Sequence, residues 1–206
     1  MSAELKAPTS EIVSPALIRV GSTDLLGGTV MRDAIPADLP AIDSLRKKEG
    51  DALGFIPIGA YQSVTMKAPV DGRWRHLHSR LVILIDNGDI TGFCYASYAG
   101  TTAKIFQIVV RQDARRWHRA MMLEGAINAD ATHYGKEAIT CRVAFDLESN
   151  FFWRAIGYIP ERQVVSTWLN QRESQSKRPL WHYRKELSGG LFHNPPNSKV
   201  SDGGGL

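Results

Sequence analysis

The amino-acid sequence predicts an α/β fold, a mixed and mostly antiparallel sheet of six or seven strands with helices on both faces. Short runs rich in β-branched and aromatic residues recur along the chain, as expected of largely buried strands. An Asn-Gly turn at 87–88 joins two of these runs, 81–85 and 91–98, into a hairpin. A third run, Lys104–Val110, leads through an arginine-rich loop into a helix that ends near Gly135. Strands and helices mixed along the chain in this way favour an α/β domain.

Size and composition are those of one soluble domain. The chain has 206 residues, of which 43% are hydrophobic and 22% charged, ordinary values for a globular protein with a proper core. No apolar run approaches the ~20 residues of a membrane helix, and the first residues lack the charged-then-apolar layout of a signal peptide. We therefore expect a cytoplasmic protein without membrane contact. The net charge of +4 is compatible with a polyanionic ligand, with nucleic acid, or with neither.

The two cysteines, Cys94 and Cys141, fall inside predicted strands and lack the spacing of metal ligands. Free cysteine behaves as a small buried hydrophobe, and disulfides are rare in the cytoplasm. We therefore expect two reduced core residues and no metal site.

The first part of the chain predicts an arm, a strand and a helix. Residues 1–27 mix Pro, Ser and Gly with scattered apolar residues and show no period, so we assign them to an N-terminal arm with a short strand near Leu17–Val20. A short edge strand is predicted at Val30–Asp33. Asp38 is expected to cap the next helix, whose first turn tolerates Pro40. The buried stripe of that helix is predicted to be Leu39, Ile42 and Leu45.

Two segments ahead of the central strands leave alternatives open. Gly54–Tyr61 is a turn-rich apolar patch that leads into a short helix to about Ala68. It is either a hydrophobic lid on the core or, as the family resemblance given below implies, a contact for the acceptor. Residues 73–80 interleave three arginines, two histidines and a tryptophan. This run is either a solvated loop or a contact for nucleic-acid phosphates, with Trp74 available for stacking.

The loop after the Lys104–Val110 strand has the composition of an anion-binding site. Between residues 111 and 119 it holds four arginines and a histidine. The N–H groups in the first turn of the following helix have no internal partner and face whatever lies there. Arginines at a helix N-terminus oppose the helix dipole, so a cluster placed there indicates an anionic ligand. The buried face of this helix is predicted to be Ala120, Leu123, Ile127 and Ala131.

The remaining chain predicts one more strand, a hairpin and a tail. Residues 138–144 alternate in polarity and predict a strand, while 164–169 and 179–185 predict the last hairpin. Residues 188–206 hold five glycines and two prolines among few apolar groups, so we expect a disordered tail. The folded domain is thereby predicted to span residues 28–187.

The arginine-rich loop resembles the CoA-binding motif of the GCN5-related N-acetyltransferase (GNAT) superfamily, which is Arg/Gln-x-x-Gly-x-Gly/Ala after a strand. Arg115 matches the first position and Ala120 the last. His118 stands at the central glycine position, which is a departure from the motif.

A second segment resembles the superfamily's pattern Asn-x-x-Ala-x-x-x-Tyr-x-x-x-Gly-Phe. Counting back from Tyr158, the spacing is kept while Asp146, Ser149 and Trp153 take the asparagine, alanine and tyrosine positions. Together with the order of elements, the resemblance extends over roughly residues 30–186.

The resemblance implies a GNAT-like fold and an acyl-CoA-dependent N-acyltransferase, which moves an acetyl or other acyl group from acetyl-CoA, or another acyl-CoA, to an amine by direct attack. It implies that the main chain of Ile108, Val109 and Val110 binds the pantetheine arm and polarises the thioester carbonyl. The acceptor stays open as a small-molecule, peptide or nucleobase amine. The residues expected around the pyrophosphate are Arg115, Arg116, Trp117, His118, Arg119 and Ala120.

A neutral amine needs a group that accepts its proton, and the candidates lie around Gln107, Asp146 and Glu148. Gln107 is a polar residue inside an apolar strand, and it either lines the acceptor cavity or is a hydrogen-bonded core glutamine. Asp146 either accepts the proton or caps the helix that begins near Leu147.

The leaving thiolate also needs a proton, which a tyrosine often supplies in this family. Trp153 cannot supply it, because an indole N–H is not an acid. Ser149, Tyr158 or water is therefore expected to substitute.

A second class of function stays open. The departures at His118 and Trp153 also fit a non-catalytic acetyltransferase-like module that binds CoA or nucleic acid. Some phage enzymes of this fold modify DNA bases, so a nucleobase-modifying acyltransferase is a further alternative. The sequence is compatible with a monomer or a homodimer.

Overall fold

The computed structural model describes residues 23–25, 28–49, 56–67, 78–115, 118–165 and 178–187. In these ranges the chain forms eight strands and four α-helices. The strands are β1 (Thr23–Leu25), β2 (Thr29–Asp33), β3 (Ser79–Asp86), β4 (Asp89–Ser97), β5 (Thr102–Val110), β6 (Ala138–Ala144), β7 (Ile159–Val165) and β8 (Pro179–Glu186). The helices are α1 (Leu39–Lys48), α2 (Ile58–Met66), α3 (Arg119–His133) and α4 (Ser149–Ala155), with short 3-10 turns at Pro36–Asp38 and Gln112–Ala114.

The strands form one mixed sheet in the order β1-β2-β3-β4-β5-β6-β8-β7. Only β5 and β6 are parallel neighbours; all other pairs in it are antiparallel. This confirms the predicted fold class. The sheet has one strand more than predicted, because Thr23–Leu25 pairs with β2 at the edge, within the segment assigned to the arm. The strand expected at Leu17–Val20 and the tail expected at 188–206 lie outside the described residues.

Alternation along the central strands sends side chains to two opposite faces of the sheet. We call these faces the α3 face and the α1–α2 face, after the helices that cover them. The α3-face core contains Val82, Leu84, Cys94, Ala96, Leu123, Ile127 and Trp153. The core on the α1–α2 face contains Leu81, Ile83, Phe93, Tyr95, Ile42, Leu45 and Tyr61.

The predicted hairpin between β3 and β4 has the geometry that its turn residues require. Asn87 and Gly88 have φ angles of 50° and 88°, and a type I′ turn needs a positive φ at both central positions. The Asn-Gly signal therefore sets this turn locally.

Asp38 does not cap α1, although it directly precedes that helix. Its carboxylate accepts hydrogen bonds from the Ile35 N–H at 2.8 Å and from the Arg32 guanidinium at 2.7 and 2.9 Å. The predicted cap is wrong because a 3-10 turn precedes α1, and Asp38 closes that turn instead.

The last hairpin begins earlier than predicted. β7 covers Ile159–Val165, whereas the sequence predicts a start at residue 164. Gly157 ends the turn after α4 with a φ of 91°, and Tyr158 is buried in the α3-face core. The chain therefore enters the sheet directly after Tyr158.

Cys94 and Cys141 are free thiols buried in the α3-face core. Burial raises the pKa of both thiols. Among the described helices, none is long and apolar enough to cross a membrane.

Candidate functional site

The sheet opens between its two parallel strands. The ladder joins residues 102–105 of β5 to residues 138–141 of β6 and ends there. Beyond this point β5 stays paired with β4 through Val110, and β6 stays paired with β8 through Ala144. Residues 106–110 and 142–144 therefore bound an opening, which we call the fork.

A β-bulge lies where the fork begins. Tyr95 and Ala96 are neighbours on β4, yet they pair with Gln107 and Ile105, so Phe106 is an extra residue on β5. A bulge bends its strand and increases the local twist, which accounts for the divergence of β5 from β6. The bulge also shifts the alternation, so that Phe106 contacts Tyr95 while Gln107 contacts Tyr61, both on the α1–α2 face.

The three residues expected to offer main-chain bonds, Ile108, Val109 and Val110, form the β5 side of the fork. The Val109 side chain lies in the core of the α1–α2 face, whereas Val110 and Ile108 pack into the α3-face core. Their side chains are thus occupied by packing, and it is their main chain that borders the opening.

The start of α3 follows directly from the end of β5. His118 precedes the helix with φ 55° and ψ 12°, the left-handed conformation. The helical ladder begins with the Met122 N–H, which donates to the His118 carbonyl at 3.0 Å. The N–H groups of Arg119, Ala120 and Met121 precede that bond, and no described side chain caps them.

His118 stands at the motif position that is usually glycine, and its backbone takes the conformation for which glycine is the usual residue. The side chain is exposed. Position 118 therefore has a glycine-like backbone conformation although its residue is histidine, and the imidazole lies at the surface.

Arg119 is held by the protein itself. Its Nε donates to the Asp86 carboxylate at 2.7 Å and its Nη1 to the Ala114 carbonyl at 3.1 Å. Asp86 also accepts from the hydroxyls of Thr29 and Thr91. Burial opposes ionisation of Asp86, but these hydrogen bonds outweigh it and lower its pKa. The ion pair between Arg119 and Asp86 thus links the start of α3 to the end of β3, next to the β3–β4 turn.

Arg115 lies beside the carboxyl end of β5. Its Nε donates to the Val110 carbonyl at 3.1 Å, and its guanidinium forms an ion pair with Glu49 at the end of α1. Arg116 and Trp117 lie outside the described residues. Ala120 is partly buried in the first turn of α3 and packs against the α3-face core.

Gln107 is buried at the bulge, and its Oε1 accepts a hydrogen bond from the Tyr61 hydroxyl of α2. It is thus a hydrogen-bonded core glutamine, one of the two alternatives that the sequence left open, and it lies beside the fork. Burial raises the pKa of Tyr61, so its phenol remains a donor. An amide has no titratable proton at neutral pH, so Gln107 itself is not a base.

The residues of the second motif do not gather at one point. Asp146 is exposed and forms a bidentate pair with Arg178 at 2.8 and 2.9 Å, and this pairing lowers its pKa. Asp146 does not cap α4, which begins at the exposed Ser149. Trp153 is buried, and its ring meets Tyr158 edge to face at 4.9 Å.

Tyr158, an expected substitute for the missing acid, belongs to a buried polar cluster. Its hydroxyl donates to Glu124 of α3 at 3.1 Å, and Lys185 donates to the same oxygen at 3.0 Å. Burial raises the pKa of Tyr158. These bonds join α3 to β8 across the α3 face.

Sequence reasoning missed two residues that shape the fork, Phe106 and Arg142. Phe106 is the bulged residue, and Arg142 is the first residue of β6 after the last ladder pair with β5. Arg142 had a signal in the sequence, because it is a charged residue inside an apolar strand. Phe106 had none, because the bulge is set by pairing with the neighbouring strand.

Solved structures show what this architecture resembles. The ribosomal-protein alanine N-acetyltransferase of Escherichia coli superposes with a TM-score of 0.62 at 13% identity, covering 82% of this chain and 99% of that one. NAA60 of Arabidopsis thaliana, in complex with a bisubstrate analogue, gives 0.64 at 13% identity, covering 78% and 99%. The putative acetyltransferase yncA of Salmonella typhimurium, with its cofactor acetyl-CoA, gives 0.60 at 13% identity, covering 83% and 99%.

These matches show that the chain has the GNAT fold. No protein-family model matches the sequence, and no curated protein sequence matches it either.

Proposed function

We propose that this protein is an acyl-CoA-dependent N-acetyltransferase, which transfers the acetyl group of acetyl-CoA to an amine by direct attack. The observation that carries the proposal is the fork between β5 and β6, followed by a helix whose first N–H groups are opened by a left-handed residue. Both features lie at the carboxyl ends of the two parallel strands, so one extended ligand can reach both.

The start of α3 fits a diphosphate. Three successive N–H groups, those of Arg119, Ala120 and Met121, precede the first helical hydrogen bond. Oriented main-chain donors and the positive end of the helix dipole favour an anion there. Arg115 borders the same loop, and we retain Arg116, Trp117 and His118 as further contacts of the loop.

The fork fits the pantetheine arm. The arm carries amide groups, and the main chain of Ile108–Val110 borders the opening without a ladder to β6. Acetyl-CoA supplies the activated thioester. A main-chain N–H at the fork would polarise its carbonyl oxygen, a contribution of the oxyanion-hole type.

The reaction forms a bond between the amine nitrogen and the acetyl carbon and breaks the carbon–sulfur bond. The amine gives up one proton and the CoA sulfur takes one up, and we assign both exchanges to water. Asp146 is a weak base because its pairing with Arg178 lowers its pKa. We assign Gln107 and Tyr61 a positioning role, because their hydrogen-bonded pair lies on the α1–α2 face at the bulge.

The solved neighbours support an amine acceptor. One of them is named as a ribosomal-protein alanine N-acetyltransferase. A second was crystallised with a bisubstrate analogue and a third with acetyl-CoA. We propose a protein or peptide amine as the acceptor, with a cytoplasmic setting.

Met121→Glu tests the diphosphate site, because helix stability and ligand binding should respond in opposite directions. Met121 is exposed in the first turn of α3. A glutamate there suits the helix dipole by about 0.3–1 kcal/mol but repels a diphosphate. We expect acetyl-CoA affinity, measured by calorimetry, to fall at least about tenfold, or about 1.4 kcal/mol, without loss of thermal stability.

Met121→Gln is the matched neutral control and should bind acetyl-CoA as the parent does. Equal affinity in the glutamate and glutamine variants, or no heat from the parent protein at high micromolar acetyl-CoA, would remove the proposed site.

A CoA-binding module without catalysis is the second candidate. The burial of Trp153 at the tyrosine position favours it, because no acid of the family type stands there. An assay of thiol release across amines, peptides and nucleosides separates the two functions. Flat traces from a protein that binds acetyl-CoA would favour the module.

A further inference from the structure

We propose that the acceptor is an acidic peptide segment, whose amine enters the fork while its carboxylates lie along a basic row on the α1–α2 face. This basic row is formed by Arg142, His182 and Arg162. This inference rests on the proposed function and specifies its substrate. It comes from the outer half of the sheet, formed by β5, β6, β8 and β7.

The basic row follows from strand register. Arg142 of β6 pairs with His182 of β8, and His182 pairs with Arg162 of β7. Directly paired residues point to the same face. The neighbours of Arg142 on β6, Cys141 and Val143, lie in the α3-face core, so the row lies on the opposite face. The two arginines are exposed.

Lys104 adds a further cation on the same face. Its ladder partner on β6 is Thr140, two residues before Arg142. Its ammonium lies over the Phe106 ring at 4.7 Å from the centroid. Burial, together with the positive charge of Arg142, lowers the pKa of Lys104. The two cations are thus near one another at the mouth of the fork.

The charges in this region are unequally compensated. Glu161 contacts both His182 and Arg184, and Glu186 contacts Arg184. In contrast, no described carboxylate lies within 4.0 Å of the charged groups of Lys104, Arg142 and Arg162. Like charges left close together repel, so this surface is complementary to an anion.

The row also has a length that suits a peptide. Adjacent strands lie about 4.8 Å apart, so two steps from β6 to β7 span about 10 Å, or about three residues of extended peptide. Arg142 stands at the fork itself. An acceptor with its amine in the fork would therefore place its second to fourth residues along Arg142 and Arg162.

A peptide fits this face better than nucleic acid does. Single-stranded nucleic acid is held by cations together with aromatic faces on which bases stack. Among the described residues, Phe106 is the exposed aromatic residue beside the fork, but one side of its ring stacks on Tyr95 at 5.1 Å and Lys104 lies over the ring. These two contacts reduce the ring area that is open to a stacked base.

The test compares two peptides with the same N-terminal alanine, one continuing with Asp-Glu-Asp and the other with Asn-Gln-Asn. We expect kcat/KM for acetyl transfer to be at least about tenfold higher for the acidic peptide. The double variant Arg142→Gln, Arg162→Gln should remove most of this preference. Arg162→Gln alone, two strands away from the fork, should remove part of the preference and leave acetyl-CoA affinity unchanged. Arg154→Gln, an exposed arginine of α4, is the control for the change in charge and should keep the preference.

Equal rates for the two peptides, or an equal loss for both in the double variant, would overturn the inference. Inhibition by single-stranded oligonucleotide that exceeds inhibition by the acidic peptide would also overturn it, in favour of a nucleic-acid acceptor. Direct binding of the labelled acidic peptide by fluorescence anisotropy separates this inference from the proposed function. If the acidic peptide bound in a manner that depends on Arg142 and Arg162 but was not acetylated, the result would contradict the proposed catalysis and support peptide binding along the basic row.

Discussion

Replacing His118 by glycine should stabilise the protein, although it removes a whole side chain. His118 has φ 55° and ψ 12°, and the left-handed conformation costs a residue with a Cβ about 1–2 kcal/mol. Glycine escapes that cost but loses about 0.5–1 kcal/mol through the greater freedom of the unfolded chain. The difference predicts a net gain of about 0.5–1 kcal/mol, since the exposed imidazole caps no helical N–H group. For a chain of this size the Tm should rise by about 1–4 °C.

Two further variants isolate the cause. His118→Ala keeps the Cβ and should show no comparable gain. Ala129→Gly places glycine at an exposed position inside α3, where it should cost about 1 kcal/mol. Urea unfolding of the three variants measures the differences. If His118→Gly lost as much stability as Ala129→Gly, the left-handed start of α3 would be refuted.

The same substitution bears on the ligand. If the left-handed backbone orients the first N–H groups of α3 toward a diphosphate, His118→Gly should keep acetyl-CoA affinity, because it keeps that backbone. His118→Val should lose stability and affinity together, because a β-branched residue resists a positive φ. A valine variant that bound acetyl-CoA as the parent does would separate the backbone conformation from binding.

Three further substitutions test the framework around the fork by urea unfolding. Gly92→Ala should cost about 1–3 kcal/mol, because a Cβ there would lie 2.9 Å from the Val109 carbonyl oxygen. Asn150→Ala should cost about 2–3 kcal/mol, because its amide donates to three main-chain carbonyls at the end of β6 and directly after it, at 2.8, 3.2 and 2.7 Å. Arg80→Met should cost about 3–5 kcal/mol, because it leaves the buried Asp130 carboxylate, 2.6 Å away, without its cation. The double variant with Asp130→Leu should recover much of that loss, and equal losses would contradict the explanation.

The fold could be predicted because its elements are set by local patterns. The Asn-Gly turn at 87–88, the apolar run of β5 and the helical face of α3 each carry their own signal over a few residues. The two motifs added the order of elements and indicated the loop that we propose binds the diphosphate. The left-handed conformation of His118 was not predicted, because the sequence showed only that histidine stands at the glycine position of the first motif.

The site was harder to predict because its contacts join distant parts of the chain. Arg119 pairs with Asp86, and Asp146 pairs with Arg178. Neither pairing leaves a periodic pattern in the sequence. The bulge at Phe106 is likewise decided by pairing with β4, and a strand read alone does not show where its ladder slips. The sequence therefore shows which residues are charged, but not which residues they pair with.

The partners of the loop arginines change the expected balance of forces. Arg119 and Arg115 each face a carboxylate, Asp86 and Glu49, so the loop is less positive than its sequence suggests. On the proposed function, a diphosphate would be bound chiefly by main-chain N–H groups. Added salt screens these short hydrogen bonds only weakly. Arg142 at the fork faces no described carboxylate and is exposed, so its attraction is screened over a Debye length of about 8–10 Å. Rising salt should thus weaken an acidic acceptor more than acetyl-CoA, and the reverse order would place the charge selectivity in the loop instead.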